Sequence, residues 1–109
     1  MAAVLSVTLL HVPAGAAEAP RGKSVYEIRC APCHGAEGGG DGPAAAAITP
    51  RPRNFRDPAF WTGRTPEQLR LTVTQGRPGT LMAPFEGVLS KAEIDDVVAY
   101  LQSFRPGAH

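Results

Sequence analysis

The chain has 109 residues, with 11 Lys and Arg against 10 Asp and Glu, so its formal net charge is +1. This near neutrality excludes a strongly basic nucleic-acid-binding protein and an acidic disordered tail. Gly (12) and Pro (11) are numerous, which predicts one small domain with long loops. Such a domain buries little apolar surface and usually needs a disulfide, a metal or a bound cofactor for stability.

The first twelve residues are almost wholly apolar. They are fewer than the ~20 residues that a membrane-spanning helix requires. Two small-x-small patterns typical of signal-peptide cleavage follow, Ala14-Gly15-Ala16 and Ala17-Glu18-Ala19. We therefore expect residues 1–19 to be a signal peptide that is removed on export to the periplasm or a comparable compartment, leaving residues 20–109 as the mature domain. One feature departs from the signal pattern, because no Lys or Arg precedes the apolar residues. The alternative is an uncleaved amphipathic or hydrophobic anchor.

A short helix over about Pro20–Cys30 is the first predicted element, with Pro20 suited to its first turn. It leads directly into Cys30-Ala31-Pro32-Cys33-His34, and C-x-x-C-H is the attachment signature of c-type haem. Two thiols at this spacing can form thioethers with both vinyl groups of one porphyrin, and the His that follows then lies beneath the iron. The motif predicts one haem attached through Cys30 and Cys33, with His34 as the proximal iron ligand.

Three other interpretations of the two cysteines remain open. A Cys30–Cys33 disulfide could form in an oxidising compartment. A thioredoxin-like redox pair would need a βαβ context, and no alternating strand pattern is visible. A zinc half-site would need a second pair of ligands, and the other histidines, His11 and His109, lie at the two ends of the chain. The haem interpretation also explains the His that directly follows the pair.

The segment Gly35–Gly63 is rich in Gly, Pro, Ala and Arg and shows no periodicity. A loop of this length argues against a compact fold unless a non-protein group organises it. Residues 51–64 carry four Arg and one Asp. One of these Arg, or the indole N–H of Trp61, could satisfy a haem propionate, although a solvated basic loop is the alternative for any single Arg. Aromatic side chains here predict the wall of a haem pocket: Phe55, Phe60 and Trp61.

Two further helices are predicted with clear ends. The first is capped by Thr65, carries Gln68 as the other half of a capping box, and stops at Gly76. The second is capped by Ser90 with Glu93 completing the box. Its apolar residues recur at helical spacing: Ile94, Val97, Val98 and Leu101.

Met82 lies between these two helices, in a turn bounded by Gly79 and Pro84. An electron-transfer haem needs a second axial ligand, commonly Met or His. The other methionine, Met1, falls in the predicted signal peptide. The sequence therefore predicts Met82 as the sixth iron ligand, with His109 as a rival and a gap-filling core role as the alternative.

These features together resemble the class I c-type cytochromes of the bacterial monohaem kind, from about Gly22 to Phe104. Gly22 and Tyr26 precede the attachment motif, as the family's helix-crossing residues do, and Val97 and Tyr100 are their expected partners. The resemblance implies an all-α cytochrome c fold, with three to four short helices and long loops wrapped around one covalently attached haem.

The resemblance also implies contacts around the haem. Asp41-Gly42-Pro43 resembles the family's turn in which a proline carbonyl accepts a hydrogen bond from the proximal histidine, here Pro43 and His34 Nδ1–H. Ile48 is then expected to pack on the haem. Two segments depart from the common pattern, Gly38-Gly39-Gly40 and the Met-Ala-Pro-Phe run that begins at Met82.

The expected function is a monohaem carrier of single electrons between exported or membrane-bound oxidoreductases, with no substrate site because both axial positions are filled. A haem-bearing subunit of a larger oxidoreductase is the first alternative. A haem sensor or a peroxidase is a further alternative, and it would need an open sixth position on the iron. In a purely structural alternative Cys30 and Cys33 form a disulfide and the protein carries no haem. We expect the partners to be redox proteins, and acidic ones because the loop is basic, whereas no nucleic acid is expected to bind. After removal of the signal peptide we expect no stable membrane span. The protein is expected to be a monomer or a subunit of a redox complex.

Overall fold

A computed structural model of the chain describes residues 3–4, 6 and 17–108. Over these residues the only β-structure is an isolated bridge between Glu86 and Leu89. The described elements are the helices α1 (Ala19–Arg29), α2 (Ala31–His34), α3 (Pro58–Trp61), α4 (Pro66–Gln75) and α5 (Lys91–Leu101), and 3₁₀ turns at Ala45–Ala47 and Gln102–Phe104. The predicted all-α class is confirmed. The predicted signal segment 1–19 lies mostly outside the described residues.

The three predicted helices correspond to α1, α4 and α5, while α2 and α3 are single turns that the sequence did not separate from loop. Asp57 caps α3 by accepting a hydrogen bond from the Ala59 amide at 3.0 Å, next to Pro58. Across the described ranges, no helix has both the length and the apolar character needed to cross a membrane.

The packing of α1 against α5 is the largest contact between helices. Gly22 is buried at this crossing, and a methyl group built there would overlap the Asp96 carbonyl and lie 2.9 Å from Tyr100 Cβ. Val97 and Tyr26 are fully buried beside it, and the rings of Tyr26 and Tyr100 are 5.3 Å apart. The helix crossing implied by the resemblance is therefore present, and only glycine fits its closest point.

The ends of α4 and α5 follow the predicted capping chemistry. Thr65 Oγ1 accepts from the Gln68 amide at 3.2 Å, Ser90 Oγ accepts from the Glu93 amide at 3.1 Å, and both boxes are reciprocal. Gly76 ends α4 with φ of +69°, where a side chain would be strained.

A buried carboxylate fixes the start of α1 against α5. Asp96 is 5% exposed and accepts from the Glu18 amide at 2.8 Å and from Arg21 Nε at 3.1 Å. Burial alone would raise the pKa of Asp96, but the hydrogen bonds from Arg21 and Glu18 outweigh it and hold that pKa below its ordinary value. The ionised form is therefore the one that the fold stabilises.

Replacing Asp96→Asn should lower the unfolding free energy at neutral pH by about 1 kcal/mol, because Arg21 is half exposed and its share of the interaction is screened. The folded-state pKa lies below the unfolded value of about 3.9, so this contribution is present above that value and is lost as pH falls through the folded-state pKa. Urea unfolding from neutral pH to about pH 3 should show the wild type and the variant converging in acid.

Glu27→Gln is the control for this experiment. The Glu27 carboxylate is exposed and lies 4.0 Å from Lys23 Nζ on the surface of α1. Its replacement should change stability by less than about 0.5 kcal/mol. A wild-type advantage over Asp96→Asn that persists unchanged in acid would contradict a role for the ionised carboxylate.

Candidate functional site

The C-x-x-C-H motif begins where α1 ends. The backbone N–H of Cys30 bonds to the Tyr26 carbonyl at 2.9 Å, and the single turn α2 carries Cys33 and His34. Both thiols are partly buried and are not joined to each other. Burial and the neighbouring Cys33 raise the pKa of the Cys30 thiol to about 11. A thioredoxin-like pair needs a βαβ context, and the described residues contain no β-structure beyond one isolated bridge, so the structure gives this interpretation no support.

A cavity of about 350 Å³ lies beside the motif, within the size range of cofactor pockets. Cys30, Cys33 and His34 line it, and so do apolar side chains from the loops and from α3, α4 and α5: Ile48, Phe55, Phe60, Leu69, Val73, Leu81, Met82, Phe85 and Leu101. The structure thus brings the predicted attachment residues, Ile48 and Met82 to one largely apolar space. A soft sulfur donor and an imidazole beside an apolar cavity fit the requirements of a haem group.

The ring of His34 is held in a defined orientation. Its Nδ1 lies 3.1 Å from the Arg53 carbonyl, and its ring stacks on Phe55 with centroids 4.5 Å apart. Burial lowers the pKa of His34, and the hydrogen bond with Arg53 opposes this shift. A carbonyl oxygen can only accept, so Nδ1 carries the proton and Nε2 keeps the lone pair that an iron ligand needs.

In the structure the acceptor for His34 is therefore Arg53, whereas the resemblance implied Pro43. Pro43 is exposed and does not line the cavity, because its turn is bonded to the backbone of α2. The Gly42 amide donates to the Cys33 carbonyl at 3.0 Å, and the Ala44 amide to the Pro32 carbonyl at 2.9 Å. The turn therefore stabilises the backbone of the C-x-x-C-H motif and does not contact the imidazole of His34.

Trp61 also differs from the prediction. It is buried, it does not line the cavity, and its indole N–H donates to the Phe55 carbonyl at 2.7 Å. With that donor used inside the protein, Trp61 cannot satisfy a propionate in this conformation. Phe55 and Phe60 do line the cavity as predicted, so Trp61 supports the pocket wall from outside.

Met82 is half-buried at the cavity, in a loop fixed by backbone contacts. The Arg77 amide donates to the Met82 carbonyl at 3.0 Å, and the Met82 amide donates to Thr80 Oγ1 at 3.1 Å. A methyl group built at Gly76 would lie 2.7 Å from the Pro84 nitrogen, so the loop folds back closely onto the end of α4. This close return is what brings Met82 to the cavity.

Basic side chains surround the cavity, and none of its lining residues is acidic. Those that line it are Arg29, Arg51, Arg53 and Arg77. Two guanidinium groups lie over the Phe60 ring, with Arg64 at 4.2 Å and Arg53 at 5.3 Å from its centroid. Burial, and then the charges of Arg53 and Arg77, lower the pKa of Arg64. An anionic group would relieve this concentration of like charge.

The sequence did not identify every contributor to the site. The Arg53 carbonyl could not be found, because any residue supplies a carbonyl and only the fold determines which one meets His34. Leu69 and Val73 of α4 also line the cavity, and no signal in the sequence indicated this. For the zinc interpretation, no cluster of three His, Cys, Asp or Glu side chains occurs within the described part of the chain.

Replacing Trp61→Phe tests its supporting role. The substitution keeps an aromatic ring but removes the hydrogen bond to the buried Phe55 carbonyl, so the unfolding free energy should fall by about 1–2 kcal/mol. Because Trp61 does not line the cavity, the visible absorption spectrum of the haem-loaded protein should not change. Urea unfolding and spectra of the same samples measure both effects, and an altered spectrum with unaltered stability would contradict this role.

Comparison with known proteins identifies similar sequences and structures. Residues 17–101 match the family described as cytochrome c oxidase, cbb3-type, subunit III. The chain is 38% identical over 99 residues to the dihydro-heme d1 dehydrogenase of Pseudomonas aeruginosa, covering 90% of this chain but only 18% of that protein. It is 32% identical over 92 residues to cytochrome c-554(547) of Halothiobacillus neapolitanus, covering 83% of this chain and 100% of the relative.

A solved structure shares the fold. Part of the reducing HAO-like protein complex of Kuenenia stuttgartiensis superposes with a TM-score of 0.70 and 33% identity, over 88% of this chain and 46% of that one. Proteins of this family carry covalently bound haem c, and the donor residues and cavity described above fit that group. The chain therefore belongs to the c-type cytochromes, in the family described as subunit III of cbb3-type cytochrome c oxidase, and it has the cytochrome c fold.

Proposed function

We propose that this chain is a one-electron carrier in which a single haem, attached through Cys30 and Cys33, has His34 and Met82 as its axial ligands. The observation that carries the proposal is that the attachment motif and the Met82 loop line one apolar cavity. The bound haem supplies a one-electron redox couple, and the remaining chemistry is binding and positioning by the protein.

His34 is prepared for this role by its surroundings. The Arg53 carbonyl holds the proton on Nδ1, and stacking on Phe55 limits rotation of the ring. The imidazole is therefore a neutral ligand with a fixed orientation, and its basicity is increased by the hydrogen bond. A ligand that does not reorient when the iron charge changes suits rapid electron transfer.

The apolar lining supports the same function. Leu69 and Val73 of α4 and Leu101 of α5 are nearly fully buried at the cavity, and their apolar surface disfavours water there. A dry environment and a thioether ligand both favour the reduced state, since the oxidised iron carries an additional charge. With both axial positions filled, no site is left for a substrate.

The substitution Met82→Ala tests the ligand assignment. It should remove the weak far-red sulfur-to-iron band, lower the reduction potential by on the order of 0.1 V, and allow carbon monoxide to bind at neutral pH. Absorption spectra, potentiometry and carbon monoxide titration of the variant and the wild type measure these effects.

Val88→Ala is the control, because Val88 is an apolar residue between Met82 and α5 that is 52% exposed and does not line the cavity. It should leave the far-red band and the potential unchanged. Retention of the band in Met82→Ala would identify another sixth ligand, and ready carbon monoxide binding by the wild type would favour the sensor or peroxidase alternative.

The basic residues around the cavity have two proposed roles. Arg53, Arg64 and Arg77 lie close enough together to offer charge-assisted hydrogen bonds to haem propionates. The remaining positive charge, with the exposed Leu81 beside it, forms a surface suited to an acidic redox protein.

Small redox reagents of opposite charge test the sign of this surface. Electron transfer with anionic ferrocyanide or ferricyanide should slow as ionic strength rises, and transfer with cationic hexaammineruthenium should accelerate, although the net charge of the whole chain is only +1. Arg51→Gln should weaken both salt dependences. Lys91→Gln, at the start of α5 away from the cavity, is the control and should preserve them. Identical salt dependence for the two reagents would contradict the proposed surface.

The relatives favour a second function that uses the same site. The chain spans 18% of the dehydrogenase it matches and 46% of the chain in the HAO-like complex, so related domains occur within larger redox proteins. A haem-bearing electron-transfer subunit of an oxidoreductase complex is therefore the alternative to a free carrier. The full-length match to cytochrome c-554(547) favours the free carrier.

A further inference from the structure

Glu18 is an integral part of the folded domain. Its carbonyl accepts the Gly22 amide at 3.1 Å, which makes Glu18 the N-terminal cap of α1. Its carboxylate lies 2.8 Å from Arg21 Nη1. Its own amide donates to Asp96 Oδ1 at 2.8 Å, across the contact between α1 and α5.

Of these three contacts, the one with Asp96 would cost the most stability if it were lost. Asp96 is the only buried charged residue in the described part of the chain, and it receives hydrogen bonds from Glu18 and Arg21. Removing a donor from a buried carboxylate leaves part of its desolvation cost uncompensated. A mature protein that lacked Glu18 would therefore carry a defect at its main helix contact.

The sequence contains two possible cleavage sites, and only one of them keeps Glu18 in the mature protein. Cleavage after Ala19 would delete Glu18, and it would require hydrolysis of a bond to Pro20, whose nitrogen has no N–H and whose ring restricts the preceding residue. Cleavage after Ala16 leaves Glu18 in place and involves an ordinary secondary amide. The family match also begins at residue 17.

We propose that the signal peptide ends at Ala16 and that the mature protein begins at Ala17, three residues before the boundary expected from the sequence. The inference rests on the proposed electron carrier being exported, as the sequence predicts. In the reaction, water adds across the Ala16–Ala17 peptide bond, which leaves a carboxylate on the released leader and an α-ammonium group on Ala17. Glu18 then follows the new terminus and holds α1 to α5.

The N-terminus of the exported protein is the direct test. The full chain is expressed with the machinery that attaches haem, and the exported fraction is analysed by intact mass and N-terminal sequencing. The expected product begins at Ala17. A product that begins at Pro20, or one that keeps the leader as an anchor, overturns the proposal. The absorption spectrum of the same sample reports haem attachment independently, so a failure of the proposed function would be recognised separately.

A matched pair of substitutions tests which small residue directs cleavage. Ala16→Leu should prevent processing at the normal position, because the residue before the cleaved bond must be small. Ala19→Leu places the same side chain three residues later and should still give a protein that begins at Ala17. The reverse result, in which only Ala19→Leu impairs processing, overturns the proposal.

Stability measurements test the structural reason. Haem-loaded forms that begin at Ala17 and at Pro20 are compared by urea unfolding, each with and without Asp96→Asn. Loss of Glu18 should lower the folded-to-unfolded ratio roughly tenfold when Asp96 is present. The difference should become much smaller in the Asp96→Asn background, because the two changes remove the same interaction. Equal stability of the two lengths with Asp96 present contradicts the proposed role of Glu18.

Discussion

The contact of α1 with α5 at Gly22 is the constraint on which the rest of the structure depends. Because glycine has no side chain, the two backbones approach closely enough for Tyr26 to be completely buried. The Tyr26 hydroxyl then donates to the Gly35 carbonyl at 2.6 Å, directly after His34. The crossing therefore determines where α1 ends and how the attachment motif is presented to the cavity.

A second constraint organises the long loop in the absence of regular structure. A methyl group built at Gly40 would lie 2.8 Å from the Pro52 carbonyl, and one at Gly38 would lie 2.9 Å from the Phe104 ring. The Gly40 amide donates to the His34 carbonyl at 2.7 Å, and the Phe55 amide to the Gly38 carbonyl at 2.7 Å. These close approaches bring the chain around Arg53 against His34. The glycine run, which departs from the common family pattern, is thus a structural requirement here.

The sequence predicted the features that depend on neighbouring residues. Capping boxes, the glycine at the end of α4 and the C-x-x-C-H motif are local patterns, and each corresponds to the observed element. The assignments that differ from the structure, Pro43 as acceptor and Trp61 at the pocket, concern contacts across the long loop. A local sequence pattern can predict a turn or a hydrogen-bond donor. Which group accepts from that donor depends on how the whole loop packs.

The distribution of charge around α1 explains why the two ends of this helix have different roles. At its start, Asp96 is satisfied by Glu18 and Arg21 within the protein, so this end needs no outside partner. At its other end, Arg29 and three further arginines line a cavity to which no acidic residue contributes. With a net charge of only +1, the compensating acids lie elsewhere on the chain, and negative charge at the cavity must come from outside the polypeptide. A haem with two propionates and an acidic redox protein would each supply it, which connects the electrostatics of the fold to electron transfer.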